Sequence, residues 1–172
     1  MSYRSSPKIW ILASILVLVL AAVAAPASAV SLVPGERAPN FSLKDLDGKR
    51  VTLDQFRGKT VVIAFWSTWC SRCEEELTFL RDQFGKRTDV AVLLVNQDGE
   101  KGVMLSKVRG LRDKLGISFP ILLDEGLKTW EGYGINALPT SVVIDKTGSV
   151  TMIEANFYWA SPEKLLSAVE QG

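Results

Sequence analysis

Residues 60–77 read TVVIAFWSTWCSRCEEEL, and in this stretch one kind of periodicity gives way to another. The run 60–66 is almost continuously apolar and rich in β-branched residues, which predicts a strand buried on both faces. Beyond it, apolar residues recur at helical spacing from Leu77 to Phe84, and Gly85 provides a helix end. The stretch therefore predicts a strand, a turn and a helix, with two cysteines at the turn.

Cys70 and Cys73 are the only cysteines of the chain, and two residues separate them. A purely structural disulfide is disfavoured, because so short a loop hardly restricts the unfolded chain. A closed zinc site needs about four nitrogen or sulfur ligands, and the chain contains no histidine. Covalent haem attachment needs a histidine directly after the second cysteine, where Glu74 stands. Redox chemistry between two thiols remains.

The placement of the cysteines at a helix start predicts their order of reaction. The first N–H groups of a helix favour a thiolate, so Cys70 is expected to be exposed and to attack a partner disulfide. Cys73, one turn further on, is expected to resolve the mixed disulfide. Glu76 shares a helix face with Cys73 and is a candidate for relaying its proton. The alternative is that Glu76, like Glu74 and Glu75, is only an acid favoured in a first turn.

The rest of the chain predicts an α/β layer architecture with a mixed sheet covered by helices. The other predicted elements are a hairpin at 41–53, a buried strand at 89–95, a helix around 104–115, a short strand at 119–124, one or two helical turns within 125–132, a hairpin at 140–154 and a helix starting at Ser161 and Pro162. The sequence has no glycine-rich phosphate loop and no internal repeats.

The first 29 residues predict a secretory signal peptide. Arg4 and Lys8 precede an uncharged apolar run at 9–25, and Ala27-Ser28-Ala29 has the small-x-small pattern of a cleavage site. The run is close to the shortest membrane-spanning helix, so an uncleaved anchor is the alternative. Either form predicts an extracytoplasmic domain that is periplasmic, secreted or tethered to the outer face of the cytoplasmic membrane. A lead-in at 30–39 and a domain at 40–172 follow.

Charge and composition exclude several classes of function. The chain has a net charge of +1, and without its basic first 29 residues it stays close to neutral, so no nucleic-acid partner is expected. The absence of histidine removes most general-base and nucleophilic-triad mechanisms. No metal and no cofactor are predicted. Contact with a membrane is expected only if the N-terminal segment is uncleaved.

Three stretches resemble the thioredoxin superfamily: FWSTWCSRCEEEL at 65–77, LPT at 138–140 and SVVIDKTGSV at 141–150. More narrowly, they resemble the TlpA/ResA/CcmG-like extracytoplasmic thiol–disulfide oxidoreductases, and the segment 35–70 is similar to the N-terminal hairpin added in that group. The resemblance covers roughly residues 34–170. It implies a thioredoxin-like three-layer fold, with a central mixed sheet flanked by helices and an added N-terminal β-hairpin.

The resemblance also implies roles for single residues. Cys70 and Cys73 match the redox-active disulfide. Pro139 matches a cis-proline beside the active site, and Leu138 before it offers backbone groups to a partner peptide. Trp69 belongs to the aromatic flank of the motif and is expected to contact the partner.

The resemblance strengthens the prediction for Glu76. It matches an acidic residue that the subgroup carries three positions after the second cysteine. Ala64 stands where cytoplasmic thioredoxins have a buried aspartate, so proton transfer is expected to depend on Glu76. Trp66 also belongs to the aromatic flank, with core packing as its alternative role.

The expected function is reduction of disulfides in partner proteins, as in cytochrome c maturation, with electrons from a donor in the membrane or outside the cytoplasm. A thiol peroxidase of the peroxiredoxin type is one alternative, although Thr68 lies two residues before Cys70 and that arrangement needs three. A copper chaperone on the same fold is disfavoured by the cysteine spacing and the missing histidine. A non-catalytic binding domain is disfavoured by the intact cysteine pair.

Overall fold

The computed structural model describes residues 32–98, 102–158 and 160–172. The predicted signal peptide or anchor at 1–29 lies outside the described residues. Within these three ranges, none of the helices has the length and apolar character needed to cross a membrane.

The described chain contains seven strands, four α-helices and one short 3-10 helix. In chain order these are β1 (Ser42–Asp45), β2 (Arg50–Thr52), the 3-10 helix (Leu53–Phe56), β3 (Thr60–Trp66), α1 (Ser71–Phe84), β4 (Val90–Asn96), α2 (Gly102–Leu115), β5 (Ile121–Leu123), α3 (Lys128–Gly132), β6 (Thr140–Ile144), β7 (Val150–Ala155) and α4 (Ser161–Gln171).

The strands form one mixed sheet in the order β2-β1-β5-β4-β3-β6-β7. The neighbours β3–β4 and β4–β5 are parallel, and the other neighbouring pairs are antiparallel. The hairpin β1–β2 extends the sheet at one edge by pairing with β5. The predicted mixed sheet flanked by helices and the predicted N-terminal hairpin are both confirmed.

Strand β3 is buried along its whole length because both faces of the sheet are covered. Val62, Ala64 and Trp66 belong to the core cluster that holds the buried residues of α1, α2 and α4. Ile63 and Phe65 belong to the cluster on the other face, which also contains Tyr133 just after α3. This two-sided burial explains why the sequence of β3 is a continuous apolar run rather than an alternating one.

The pairing of β3 with β6 brings the cysteine loop close to the segment before β6. In this antiparallel pair, Ala64 lies opposite Ser141 and Phe65 lies opposite Thr140. The peptide Leu138–Pro139 therefore lies beside the end of β3, where the chain leaves the sheet toward α1. Two segments that are about 70 residues apart in the sequence meet at this edge of the sheet.

The lead-in is hydrogen-bonded to the turn that joins β6 and β7. The amide of Gly35 donates to the carbonyl of Val150 at 2.8 Å, and the amide of Val150 donates to the backbone carbonyl of Glu36 at 2.8 Å. The amide of Ala38 donates to the carbonyl of Gly148 at 3.0 Å. Gly35 has a φ of 94°, a conformation that glycine adopts without steric cost. Residues 35–38 are therefore held against the sheet.

Candidate active site

Cys70 and Cys73 form a disulfide at the start of α1. Cys70 is the N-cap of the helix, and its Sγ accepts a hydrogen bond from the amide of Cys73 at 3.2 Å. Cys73 has no exposed surface, whereas Cys70 is partly exposed. Of the two cysteines, Cys70 is therefore the one at the protein surface.

The loop before Cys70 is held by a carboxylate that the sequence analysis did not single out. Asp98 Oδ2 accepts from the amide of Thr68 at 2.6 Å and from Asn96 Nδ2 at 3.0 Å. The amide of Asp98 donates to Asn96 Oδ1 at 3.0 Å, so the two side chains hold each other. Asn96 ends β4 directly beside Trp66. No local signal marks Asp98, because only the pairing of β3 with β4 brings it beside the cysteine loop.

The two tryptophans of the motif lie in opposite environments. Trp66 is buried in the core, where its Nε1 has no hydrogen-bond partner among the described residues. Trp69 is 69% exposed and forms one wall of a groove whose other wall is α2, with Met104 and Leu111. Trp66 thus has the packing role given as its alternative, and Trp69 is available to a partner.

The peptide bond between Leu138 and Pro139 is cis, as the resemblance implies. Pro139 is buried, and its carbonyl accepts from the amide of Asn156 at 2.7 Å. Within the described part of the chain, neither the amide nor the carbonyl of Leu138 has a hydrogen-bond partner. Leu138 and Cys70 both pack against the core cluster that contains Cys73. Leu138 therefore presents unpaired backbone groups at the edge of the sheet from which the cysteine loop leaves.

Glu76 is buried, unlike the two acids that precede it. It is 1% exposed, whereas Glu75 is exposed and Glu74 forms an ion pair with Lys114 of α2 at 2.6 Å. Ser141 Oγ donates to Glu76 Oε1 at 2.9 Å, and Oε2 has no partner among the residues described. Burial raises the pKa of Glu76 from 4.5 to about 7, while the hydrogen bond from Ser141 acts in the opposite direction. The alternative of an ordinary first-turn acid therefore fits Glu74 and Glu75 but not Glu76.

Ser141 is the second site residue that the sequence analysis did not single out. It lies on β6, 65 positions from Glu76 in the chain, and only the pairing of β3 with β6 brings the two together.

In the described ranges, no group of three or more histidine, cysteine, aspartate or glutamate side chains is placed to hold a metal ion.

Comparison with known proteins identifies the family. Residues 34–153 match the AhpC/TSA family, so the chain belongs to that family. The thiol-disulfide oxidoreductase ResA of Bacillus anthracis is 36% identical over 116 residues, which are 67% of this chain and 66% of the relative. ResA of Geobacillus thermodenitrificans is 36% identical over 121 residues, covering 69% of this chain and 67% of the relative. The chain thus spans about two-thirds of the length of these relatives.

Solved structures confirm the thioredoxin-like fold. A crystal structure from Chlorobium tepidum, assigned to a thiol:disulfide interchange protein DsbE, has a TM-score of 0.74 at 26% identity, covering 82% of this chain and 98% of that chain. The exposed lipoprotein thioredoxin Etrx1 of Streptococcus pneumoniae has a TM-score of 0.63 at 29% identity, covering 78% of this chain and all of that chain. Together with the ResA relatives, these structures confirm the predicted resemblance to the TlpA/ResA/CcmG-like thiol–disulfide oxidoreductases.

Proposed function

We propose that this protein is an extracytoplasmic thiol–disulfide oxidoreductase that reduces disulfides of partner proteins. The observation that carries the proposal is the Cys70–Cys73 disulfide at the start of α1, with one cysteine partly exposed and the other buried. The names of the ResA relatives and the fold they share support the same class of reaction.

The reaction proceeds in two exchanges. In the reduced protein, the Cys70 thiolate attacks a sulfur of the partner disulfide, and the other partner sulfur leaves with the electron pair. Cys73 then loses its proton and attacks Cys70 Sγ. The bond between Cys70 and Cys73 forms, the bond between Cys70 and the partner breaks, and the partner is left with two thiols. A donor in the membrane or outside the cytoplasm returns two electrons to the pair, and no cofactor is needed.

The start of α1 favours the attacking form of Cys70. In its N-cap position, the sulfur of Cys70 receives a hydrogen bond from the amide of Cys73. The unpaired N–H groups of the first turn add partial positive charge at the same place. Both effects stabilise a negative sulfur more than a protonated one, so they favour the thiolate of Cys70 in the reduced protein.

Leu138 and Trp69 are the residues that we assign to partner binding. The amide and carbonyl of Leu138, which have no partner within the described ranges, can pair with the backbone of an extended partner segment. Trp69 offers an exposed aromatic surface directly before Cys70. The buried Pro139 fixes the position of Leu138 beside the cysteine loop.

Glu76 is the group that we assign to proton transfer with Cys73. The two residues are three positions apart on one helix face, and both are buried. A carboxyl whose pKa is about 7 exchanges its proton readily near neutral pH, whereas an ordinary carboxyl stays ionised. When ionised, Glu76 also repels a thiolate at Cys73, so the Cys73 thiol holds its proton longer and the reduced protein is favoured.

Single-cysteine variants test the cycle directly. Cys73→Ser should accumulate mixed disulfides with partner proteins, because the resolving thiol is missing. Cys70→Ser should accumulate none, because the remaining thiol is buried. Non-reducing gels after acid quenching measure both, and equal trapping by the two variants would contradict the assigned order.

The peroxidase alternative is tested with the same protein. Wild-type protein should reduce an oxidised Cys-x-x-Cys-His peptide, the disulfide form of a haem-attachment motif, in the presence of a chemical dithiol donor. Rapid peroxide consumption without peptide reduction would instead favour a thiol peroxidase.

The cellular location of the protein and the direction of its thiol–disulfide exchange need separate measurements. A reporter fused after Gly172 should be active only outside the cytoplasm, and N-terminal sequencing distinguishes a cleaved signal peptide from an anchor. Equilibration with glutathione buffers measures the reduction potential of the pair. A potential above that of glutathione would overturn the assignment as a reductant.

A further inference from the structure

We propose that Ser141 is a positioning residue that orients the carboxyl of Glu76 for proton transfer with Cys73, an inference that rests on the proposed function. Ser141 Oγ lies 2.9 Å from Glu76 Oε1, and both side chains are 1% exposed. Within the described ranges, Ser141 is the only hydrogen-bond partner of this carboxyl.

The strand register explains how the carboxyl comes to lie there. Ser141 is directly opposite Ala64, so the two side chains lie on the same face of the sheet. That face also carries Val62 and Trp66 of β3 and is covered by α1. Ala64 is the smallest apolar residue that β3 carries on this face, and the hydroxyl of Ser141 on the neighbouring strand supplies a hydrogen bond to the carboxyl that apolar side chains cannot.

The hydroxyl also determines which oxygen of Glu76 exchanges the proton. A serine hydroxyl has one hydrogen to donate, and it is directed at Oε1. The proton of the neutral acid is then carried by Oε2, the oxygen without a described partner. In the resolving step, the Cys73 S–H bond breaks and an O–H bond forms at Oε2. The Cys73 thiolate attacks Cys70 Sγ, and the partner sulfur leaves with the electron pair.

The hydrogen bond is expected to matter most near neutral pH. Burial raises the pKa of Glu76, and the hydrogen bond from Ser141 limits that rise by stabilising the carboxylate. The facing residues of β3 and β6, Ala64 and Ser141, carry no charge, and Cys73 is the titratable neighbour on the same helix face. Loss of the hydroxyl should therefore leave less carboxylate to accept the proton of Cys73.

The test uses two variants of nearly equal shape. Ser141→Thr keeps the hydroxyl and Ser141→Val removes it, while both residues suit a strand. Reduced protein is mixed with dithiobis(nitrobenzoate), whose coloured thiolate is released once when Cys70 attacks and once when Cys73 resolves. The pH dependence of the second release reports the proton transfer.

The expected result is a wild-type inflection near neutral pH that Ser141→Thr retains. Ser141→Val should move the inflection upward by about one to two pH units, as expected for loss of a hydrogen bond to a charged group. In the Glu76→Gln background, the Thr and Val substitutions should give the same profile. Ser141→Ala, checked for folding by circular dichroism, should behave like Ser141→Val.

Two results would overturn the inference, and they are distinguishable from failure of the proposed function. Identical profiles for Ser141→Thr and Ser141→Val would show that the hydroxyl has no effect. An equal difference between them with and without Glu76 would show that Ser141 acts independently of the acid. Absence of any second release from wild-type protein would instead refute the dithiol cycle itself.

Discussion

The buried acid Glu76 should make the protein less stable as pH rises, and Glu76→Gln should remove that dependence. In the unfolded chain the carboxyl ionises near its ordinary pKa of 4.5, whereas in the folded protein it ionises near 7. Between these values the folded state binds more protons than the unfolded state, so stability falls with rising pH. A difference of about 2.5 pH units at about 1.36 kcal/mol each gives a cost of roughly 3 kcal/mol, complete above neutral pH and absent in acid.

Urea unfolding of the oxidised protein at about pH 4 and about pH 8 measures this cost. The Gln variant keeps an oxygen that accepts the hydrogen bond from Ser141, but it has no charge to bury. Its free energy of unfolding relative to wild type should therefore rise by roughly 3 kcal/mol from the lower to the higher pH.

The exposed neighbour Glu75 provides a matched control, because it belongs to the same helical turn. Glu75→Gln should follow wild type within about 0.5 kcal/mol at both pH values. If the difference between Glu76→Gln and wild type were the same at both pH values, the reasoning from burial to a raised pKa would be wrong.

Substitutions at three further positions test other parts of the site and the core. Trp69→Ala should leave the free energy of unfolding within about 0.5 kcal/mol of wild type, yet raise KM for a protein disulfide about fivefold or more. An unchanged KM would contradict the binding role. Asp98→Ala should cost about 1–3 kcal/mol in urea unfolding because the Thr68 amide loses its acceptor, and Asp98→Asn should recover most of it; equal losses would contradict the role of the acceptor. Leu80→Ala should cost about 2–5 kcal/mol in the same assay, and a smaller loss would show that the core of α1 relaxes around the cavity.

Much of the fold could be predicted because its strongest signals are local. The apolar run of β3 gave its bounds at Thr60 and Trp66 without error, and the helical spacing after Cys70 gave α1. The bounds of β4 and β5 were less accurate: β4 extends to Asn96, and β5 is only Ile121–Leu123. Strand ends depend on which neighbouring strand offers hydrogen bonds, and the local sequence does not determine that pairing.

The residues of the site likewise fall into two groups: those that the local sequence predicts and those that only the folded sheet brings together. The spacing of Cys70 and Cys73 predicted the pair that the structure joins as a disulfide, and the resemblance predicted the cis peptide bond before Pro139. Ser141 and Asp98 could not be found from local pattern, because each acts on a residue that only the sheet brings close. The sequence alone does not distinguish Ser141 from other serines in strands, or Asp98 from other aspartates that follow a strand. Their roles become visible only when the strand register shows that Ser141 faces Glu76 and that Asp98 faces the amide of Thr68.

The hydrogen bonds of the lead-in hold residues 35–38 at the end of the domain that lies away from Cys70. Residues 35–38 are bonded to the turn after β6, and β6 ends where β3 begins, since Ile144 lies opposite Val61. Cys70 follows the other end of β3, whose seven residues span about 20 Å. Residues 35–38 thus lie at one end of the domain, and Cys70 lies at the other. Attachment of the protein to a surface through residues 35–38 would therefore leave Cys70 on the far side, open to approaching proteins.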